Sequence, residues 1–125
     1  MSKVKKALVV DDNQALLSMM ELLLECHGYQ VQLHDSPIPA VFQAGSERYD
    51  LLITDVWMPQ IKGGELVERI RATRLNTNLP VVFISGHPDS ELGELKNTEN
   101  AFFLRKPFKS EALLDVLEQI SANAA

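Results

Sequence analysis

Five short apolar runs punctuate the chain: Ala7 to Val10, Val31 to Leu33, Leu51 to Thr54, Val81 to Ile84 and Ala101 to Leu104. Each is short and, for the most part, unbroken, which is how a strand buried on both faces reads, and strands buried on both faces belong to parallel sheets. Parallel neighbours cannot be joined by tight hairpins and need crossover connections, and the segments between these runs carry helical periodicity. The chain is therefore restricted to the α/β class, a doubly wound five-stranded parallel sheet with helices on both faces.

The predicted helices differ in strength. The first should begin near Asn13 and turn Leu16, Met20, Leu23 and Leu24 inward, with Gly28 supplying the left-handed stop. Ser36 before Pro37 reads as an N-cap and first-turn pair opening a second helix through Val41 and Phe42. A third puts Leu66, Val67 and Ile70 on one side, and the last, capped by Ser110, repeats Leu113, Val116, Leu117 and Ile120. Between Pro88 and Asn100 the fourth is weak. Only Leu92 and Leu95 are apolar there, and Gly93 costs about 1 kcal/mol against Ala, so a short or mobile helix is expected.

At 125 residues, residues 1–125 read as a single domain without linker, repeat or low-complexity segment. A net charge of -5 argues against a nucleic-acid surface, which needs cations to displace the counterions of phosphates. The densest basic stretch, Arg69, Arg71 and Arg74, sits at helical spacing and reads as a solvated helix face. Cys26 is the only cysteine, so no internal disulfide can form, and it reads as a small apolar residue in a reducing compartment. The opening "MSKVKKALVV" is basic like a signal peptide, but its apolar run ends after four residues at Asp11 and Asp12. Nothing approaches a membrane span in length, so a cytoplasmic protein without membrane partners is expected.

In an open parallel sheet, ligands bind beyond the carboxyl ends of the strands. Asp11 and Asp12 follow the first run, Asp55 the third, Ser85 the fourth, and Lys106 comes shortly after the fifth. Each has an ordinary explanation alone: a helix cap, a turn residue, an exposed lysine. Together they do not, because three carboxylates in one crevice raise each other's pKa unless cations compensate. Lys106 and a divalent ion would balance the count. An oxygen-only donor set favours Mg2+ over zinc, whose usual His and Cys ligands are missing. A carboxylate beside such an ion is a candidate nucleophile, able to form an acyl phosphate if a phosphoryl donor is delivered.

The strings "VVDDN", "LLITDVWMP", "VVFISG" and "FFLRKPF", in that order across nearly the whole chain, resemble the receiver domain of two-component response regulators. The resemblance implies the flavodoxin-like strand order 2-1-3-4-5. It also implies that Asp55 accepts a phosphoryl group from a phosphohistidine on a sensor histidine kinase or histidine phosphotransfer protein. Asp11 and Asp12 then correspond to the Mg2+-binding acids, with Asp55 and the backbone carbonyl of Trp57 as further ligands. Lys106 matches the lysine that meets the phosphoryl oxygens, Ser85 the switch hydroxyl, and Phe103 the aromatic switch position. Trp57 and His87 fall at the positions that tune the phosphorylated lifetime. The output surface would comprise the fourth helix, the fifth strand and the last helix, and the Lys106–Pro107 bond would be cis. Such a domain is half an enzyme, promoting its own phosphorylation and slow self-hydrolysis while the partner supplies the histidine.

Two departures stand out: Phe103 lacks the tyrosine hydroxyl often found there, and Asn100 and Ala101 replace the usual Gly-Ala opening of the fifth strand. Among rivals, a flavodoxin-like redox carrier would hold its flavin phosphate where "DDNQA" places two acids, which repel it. An interaction module that is never phosphorylated is opposed by the intact Asp55, Ser85 and Lys106 set. The chain ends with its last helix, consistent with a stand-alone receiver or with the receiver piece of a hybrid histidine kinase, and Met1 favours a native start.

Overall fold

The computed structural model describes residues 4–58, 60–86 and 99–124. Strands β1 (Lys5–Val10), β2 (Tyr29–His34), β3 (Leu51–Asp55), β4 (Val81–Ser85) and β5 (Ala101–Arg105) form one sheet in the order β2-β1-β3-β4-β5, every neighbouring pair parallel. Helices α1 (Gln14–Cys26), α2 (Pro37–Ser46), α3 (Gly63–Arg71) and α4 (Ser110–Ala124) supply the rest, α4 being the predicted last helix. The helix expected between Pro88 and Asn100 falls mostly, and His87 entirely, outside the described residues. No helix among those described is long and apolar enough to cross a membrane.

The pleat sorts the strand residues into two cores. Ala7, Val9, Ile53, Val82 and Ile84 meet α1 and α4 through Leu17, Met20, Leu113 and Leu117. Their alternates Leu8, Val10, Leu52, Val81 and Phe83 meet α2 and α3 through Ala40, Ala44, Leu66 and Ile70. This period-2 division explains the unbroken runs, since in the central strands both alternating sets are buried.

Most local expectations hold, with small differences at the helix ends. Met20 and Leu24 of α1 are fully buried as expected and Leu16 and Leu23 pack partly buried against the same core, with Leu17 a buried addition to the face. The helix begins near Asn13 as expected, with the Asn13 side chain capping it by accepting the Leu16 N–H at 3.1 Å. Gly28 takes the left-handed φ of +87° as expected. Ser36 occupies the cap of α2 but makes no side-chain cap bond, consistent with Pro39, the third helical residue, having no N–H to offer it. Ser110 lies within the first turn of α4, where the Lys109 carbonyl receives the Ala112 N–H.

Two polar side chains act as clasps that local patterning does not reveal. Arg71 is not solvated: its guanidinium donates to the carbonyls of Leu79 at 2.8 Å and Glu99 at 2.7 Å, tying the end of α3 to the starts of β4 and β5. Arg74 lies beyond the end of α3, and Arg69, which is exposed, pairs with Glu65. Asn76 is buried and accepts the Tyr49 N–H at 2.8 Å while donating to the carbonyls of Ala44 and Glu47. Cys26 is exposed at the end of α1 rather than packed as an apolar residue. Asn100 does adopt a left-handed φ, +51°, ahead of β5.

Candidate functional site

Strand register assembles the site. Val10 of β1 pairs with Thr54 of β3, so the next residues, Asp11 and Asp55, emerge side by side at the point where the strand order reverses. Asp55 pairs with Ile84, which brings Ser85 alongside, and Ser85 pairs with Arg105, which brings Lys106. The Lys106 N–H donates to the Ser85 carbonyl at 2.7 Å, and the Lys106–Pro107 bond is cis.

Asp11 is 1% exposed, Asp55 7% and Ser85 1%, whereas Asp12 faces solvent. Each buried carboxylate is aimed by a backbone amide two residues on. Asp11 Oδ1 accepts the Asn13 N–H at 2.8 Å and Asp55 Oδ1 accepts the Trp57 N–H at 3.1 Å, a local turn geometry open to Asp and Asn. The other two oxygens converge on one cation: Lys106 Nζ stands 3.1 Å from Asp55 Oδ2 and 3.2 Å from Asp11 Oδ2. The contact to Asp55 is a hydrogen bond, but that to Asp11 is an ion pair by distance only, leaving Asp11 Oδ2 buried without a hydrogen-bond partner.

Burial pushes the Asp11 carboxyl above the ordinary carboxylate range; the Asn13 N–H and Lys106 oppose this, and the Asp55 charge adds to it. For Lys106, burial disfavours the ammonium, yet its hydrogen bond to Asp55 and the charge of Asp11 outweigh burial and raise its pKa. The crevice thus holds more negative charge than one lysine neutralises. Ligand oxygens of Asp11, Asp12 and Asp55 lie within 4.8 Å of one another. With a buried oxygen that lacks a hydrogen-bond partner and only oxygen donors, this set fits a hard divalent cation such as Mg2+.

Trp57 is exposed beside the crevice, and its ring has the Lys62 ammonium 5.1 Å from its centroid. Phe103 is 43% exposed, its ring stacked on Phe83 at 5.6 Å. Asn13, Leu16, Met19, Lys106, Pro107 and Phe108 line a groove of about 470 Å3 beside the carboxylates. A roomier cavity, about 580 Å3, lies at the opposite ends of the strands among residues such as Lys5, Tyr49 and Arg74. It has no converging acids, so volume does not identify the site here and chemistry does.

Two residues escaped the sequence reading. Gly63, the first residue of α3, donates its N–H to the Val56 carbonyl at 2.9 Å and lies so close to the Asp55 backbone that a Cβ would collide with the Asp55 carbonyl oxygen. The paired glycines of "KGG" at a helix start are the signal that could have found it, since Gly marks close backbone approach. Lys62, beside it, carries no sequence signal for its contact with Trp57.

Comparison with known proteins agrees with this geometry. A sequence model described as the response regulator receiver domain matches residues 7–118. The response regulator receiver protein CpdR of Brucella abortus is 30% identical over 123 residues, covering 94% of this chain and 97% of that protein. Other curated relatives are longer, the chain spanning 55% of one and 13% of another. Among solved structures, the chemotaxis protein CheY4 of Vibrio cholerae superposes with a TM-score of 0.84 at 28% identity, covering 94% of this chain and 99% of that one. The receiver domain of sensor histidine kinase PA1611 of Pseudomonas aeruginosa, solved with magnesium in its active-site cleft, has a TM-score of 0.79 at 29% identity, covering 95% and 99%. Sequence, topology and the acidic crevice agree, and the chain belongs to the response regulator receiver domain family.

Proposed function

We propose that this domain is a phosphorelay receiver in which Asp55 accepts a phosphoryl group from a phosphohistidine of a sensor histidine kinase or histidine phosphotransfer protein. In the transfer, an Asp55 carboxylate oxygen bonds to phosphorus as the phosphorus–nitrogen bond of the donor breaks, and the imidazole leaves with a proton. The observation that carries this reading is the buried Asp55 carboxylate with the Lys106 ammonium at 3.1 Å, beside acids that one lysine cannot neutralise.

Asp11, Asp12, Asp55 and the Trp57 carbonyl would hold Mg2+, in line with the magnesium in the PA1611 receiver. When bound, the ion would neutralise charge on the transferring phosphoryl group. The chain's own residues do the positioning. The Trp57 N–H holds Asp55 Oδ1, leaving Oδ2 as the oxygen for attack, and Lys106 is within reach of the phosphoryl oxygens once Oδ2 is esterified. Ser85, which follows the Ile84 that pairs with Asp55, supplies a hydroxyl that would turn to the phosphoryl oxygens in the phosphorylated state. Phe103, half exposed on β5, is the aromatic whose packing would report that state to an output surface that includes β5 and the last helix. Trp57 and His87 would tune how long it lasts.

The groove beside Lys106, apolar through Leu16, Met19 and Phe108, offers a seat for the partner that presents the histidine. A chain with one thiol and no disulfide suits the cytoplasm, where such donors act. The same chemistry serves a domain that stands alone or one joined to a longer chain, because phosphoryl acceptance is confined to this crevice. Intact-mass measurement after incubation with Mg2+ and acetyl phosphate should find one added phosphoryl group, absent in Asp55→Asn, which stays folded. Equal labelling of the Asn variant would overturn the assignment.

A further inference from the structure

The segment from Asp55 to Gly63 is closed upon itself by three contacts. The Trp57 N–H reaches Asp55 Oδ1 at 3.1 Å, the Gly63 N–H reaches the Val56 carbonyl at 2.9 Å, and the Lys62 ammonium lies 5.1 Å from the Trp57 ring centroid. The first ties a main-chain amide to the Asp55 carboxylate and the second is made by main chain alone, so both hold the backbone. The third is made by side chains alone, and it acts on an indole of a residue that is 50% exposed. Lys62 makes no ion pair with a carboxylate among the described residues, although three acids converge in the neighbouring crevice. Its cation is spent on the aromatic face, the arrangement favoured by the quadrupole of an indole.

We infer that Lys62 is a positioning residue that pins the Trp57 indole at the rim of the crevice and thereby lengthens the life of the phosphorylated state. The inference rests on Asp55 being the phosphoryl acceptor. Hydrolysis of that acyl phosphate requires a water oxygen to bond to phosphorus while the phosphorus–oxygen bond to Asp55 breaks. The products are the Asp55 carboxylate and inorganic phosphate, with the protons of water passing to phosphate and solvent. A ring held at the rim narrows the approach of that water, and a ring released from Lys62 does so for a smaller fraction of the time. An exposed cation–π contact sustains a population ratio of about two- to fivefold, which sets the size of the effect.

The test uses the purified chain labelled with Mg2+ and acetyl phosphate, freed of donor, and followed by intact mass as the label is lost. Trp57 is the only tryptophan, so acrylamide quenching of its fluorescence reports the ring directly in unlabelled protein. Lys62→Gln should shorten the lifetime about two- to fivefold and increase quenching, and Lys62→Arg, which keeps a cation over the ring, should restore both. In a Trp57→Asn background, Lys62→Gln should change nothing further. An unchanged or longer lifetime in Lys62→Gln overturns the inference. So does an equal shortening in the Trp57→Asn background, which would show that the charge acts on the crevice and not through the ring. Failure of the wild type to take up any phosphoryl group would instead overturn the reading of Asp55.

Discussion

Two glycines at helical positions, Gly45 and Gly63, should respond to the same substitution with opposite signs. Replacing Gly by Ala inside a helix removes backbone freedom from the unfolded chain and gains about 0.5–1 kcal/mol where the new methyl has room. Gly45 in α2 has nothing within 4 Å of a built Cβ, so Gly45→Ala should stabilise the domain by roughly that amount. At Gly63 the same Cβ would be driven into the Asp55 carbonyl oxygen and would stand 3.1 Å from Val56 Cα and 3.2 Å from the Asp55 carbonyl carbon. All three atoms are backbone and cannot rotate away. Overpacking of that kind costs about 1–3 kcal/mol, enough to outweigh the gain in propensity. Gly63→Ala should therefore destabilise by about 1–2 kcal/mol. Because two of the displaced atoms belong to Asp55 itself, it should also slow phosphoryl uptake from acetyl phosphate, where a displacement of about 1 Å can cost on the order of a hundredfold. Urea unfolding of the two variants and wild type, with unchanged m-values, measures the stabilities. A Gly63→Ala protein as stable as wild type, or both variants shifting in the same direction, would refute the argument from close backbone approach.

Asp11→Asn removes a buried charge but keeps an oxygen to accept the Asn13 N–H, and without Mg2+ should stabilise the domain by about 1–2 kcal/mol at neutral pH. Since burial holds the native Asp11 pKa above its ordinary 3.8, the wild-type penalty is complete above the raised value and vanishes below 3.8, so the two unfolding curves should converge as pH falls. The same variant should bind Mg2+ more weakly, read by titration calorimetry. Lys106→Ala should keep Mg2+ binding but lose the response to phosphorylation in a partner-binding assay. Its raised pKa makes the stabilisation by Lys106 complete below 10.5 and lost only as pH climbs through the higher native value, so wild type and variant should differ across the neutral range. Asn76→Ala should cost about 2–4 kcal/mol in urea unfolding, because it leaves the Tyr49 N–H and the carbonyls of Ala44 and Glu47 without their buried partner.

How much of this was legible beforehand follows from the range of the forces involved. Strand and helix positions, the α/β class and the acids at the strand ends depend on spacings of two to four residues, and those are written in the chain itself. Leu8 and Val9 needed no neighbour to announce a strand buried on both faces, and Gly28 announced its own left-handed turn. The family strings extended this to strand order and to Asp55, since they already encode a tertiary arrangement. What spacing cannot express is an interaction between segments that meet only after folding. Lys106 reaches Asp55 across 51 positions of sequence. That Leu17 of α1 is more deeply buried than Leu16 depends on the strands the helix packs against. Arg71 read as solvated because its partners, the carbonyls of Leu79 and Glu99, are backbone groups with no sequence signature. Asn76 was silent for the same reason, and Gly63 because its requirement is empty space against a strand eight residues earlier. Periodicity is a one-dimensional record of which face is apolar, whereas clasps, close approaches and the distances within the acidic crevice are set by how the crossovers stack those faces in three dimensions.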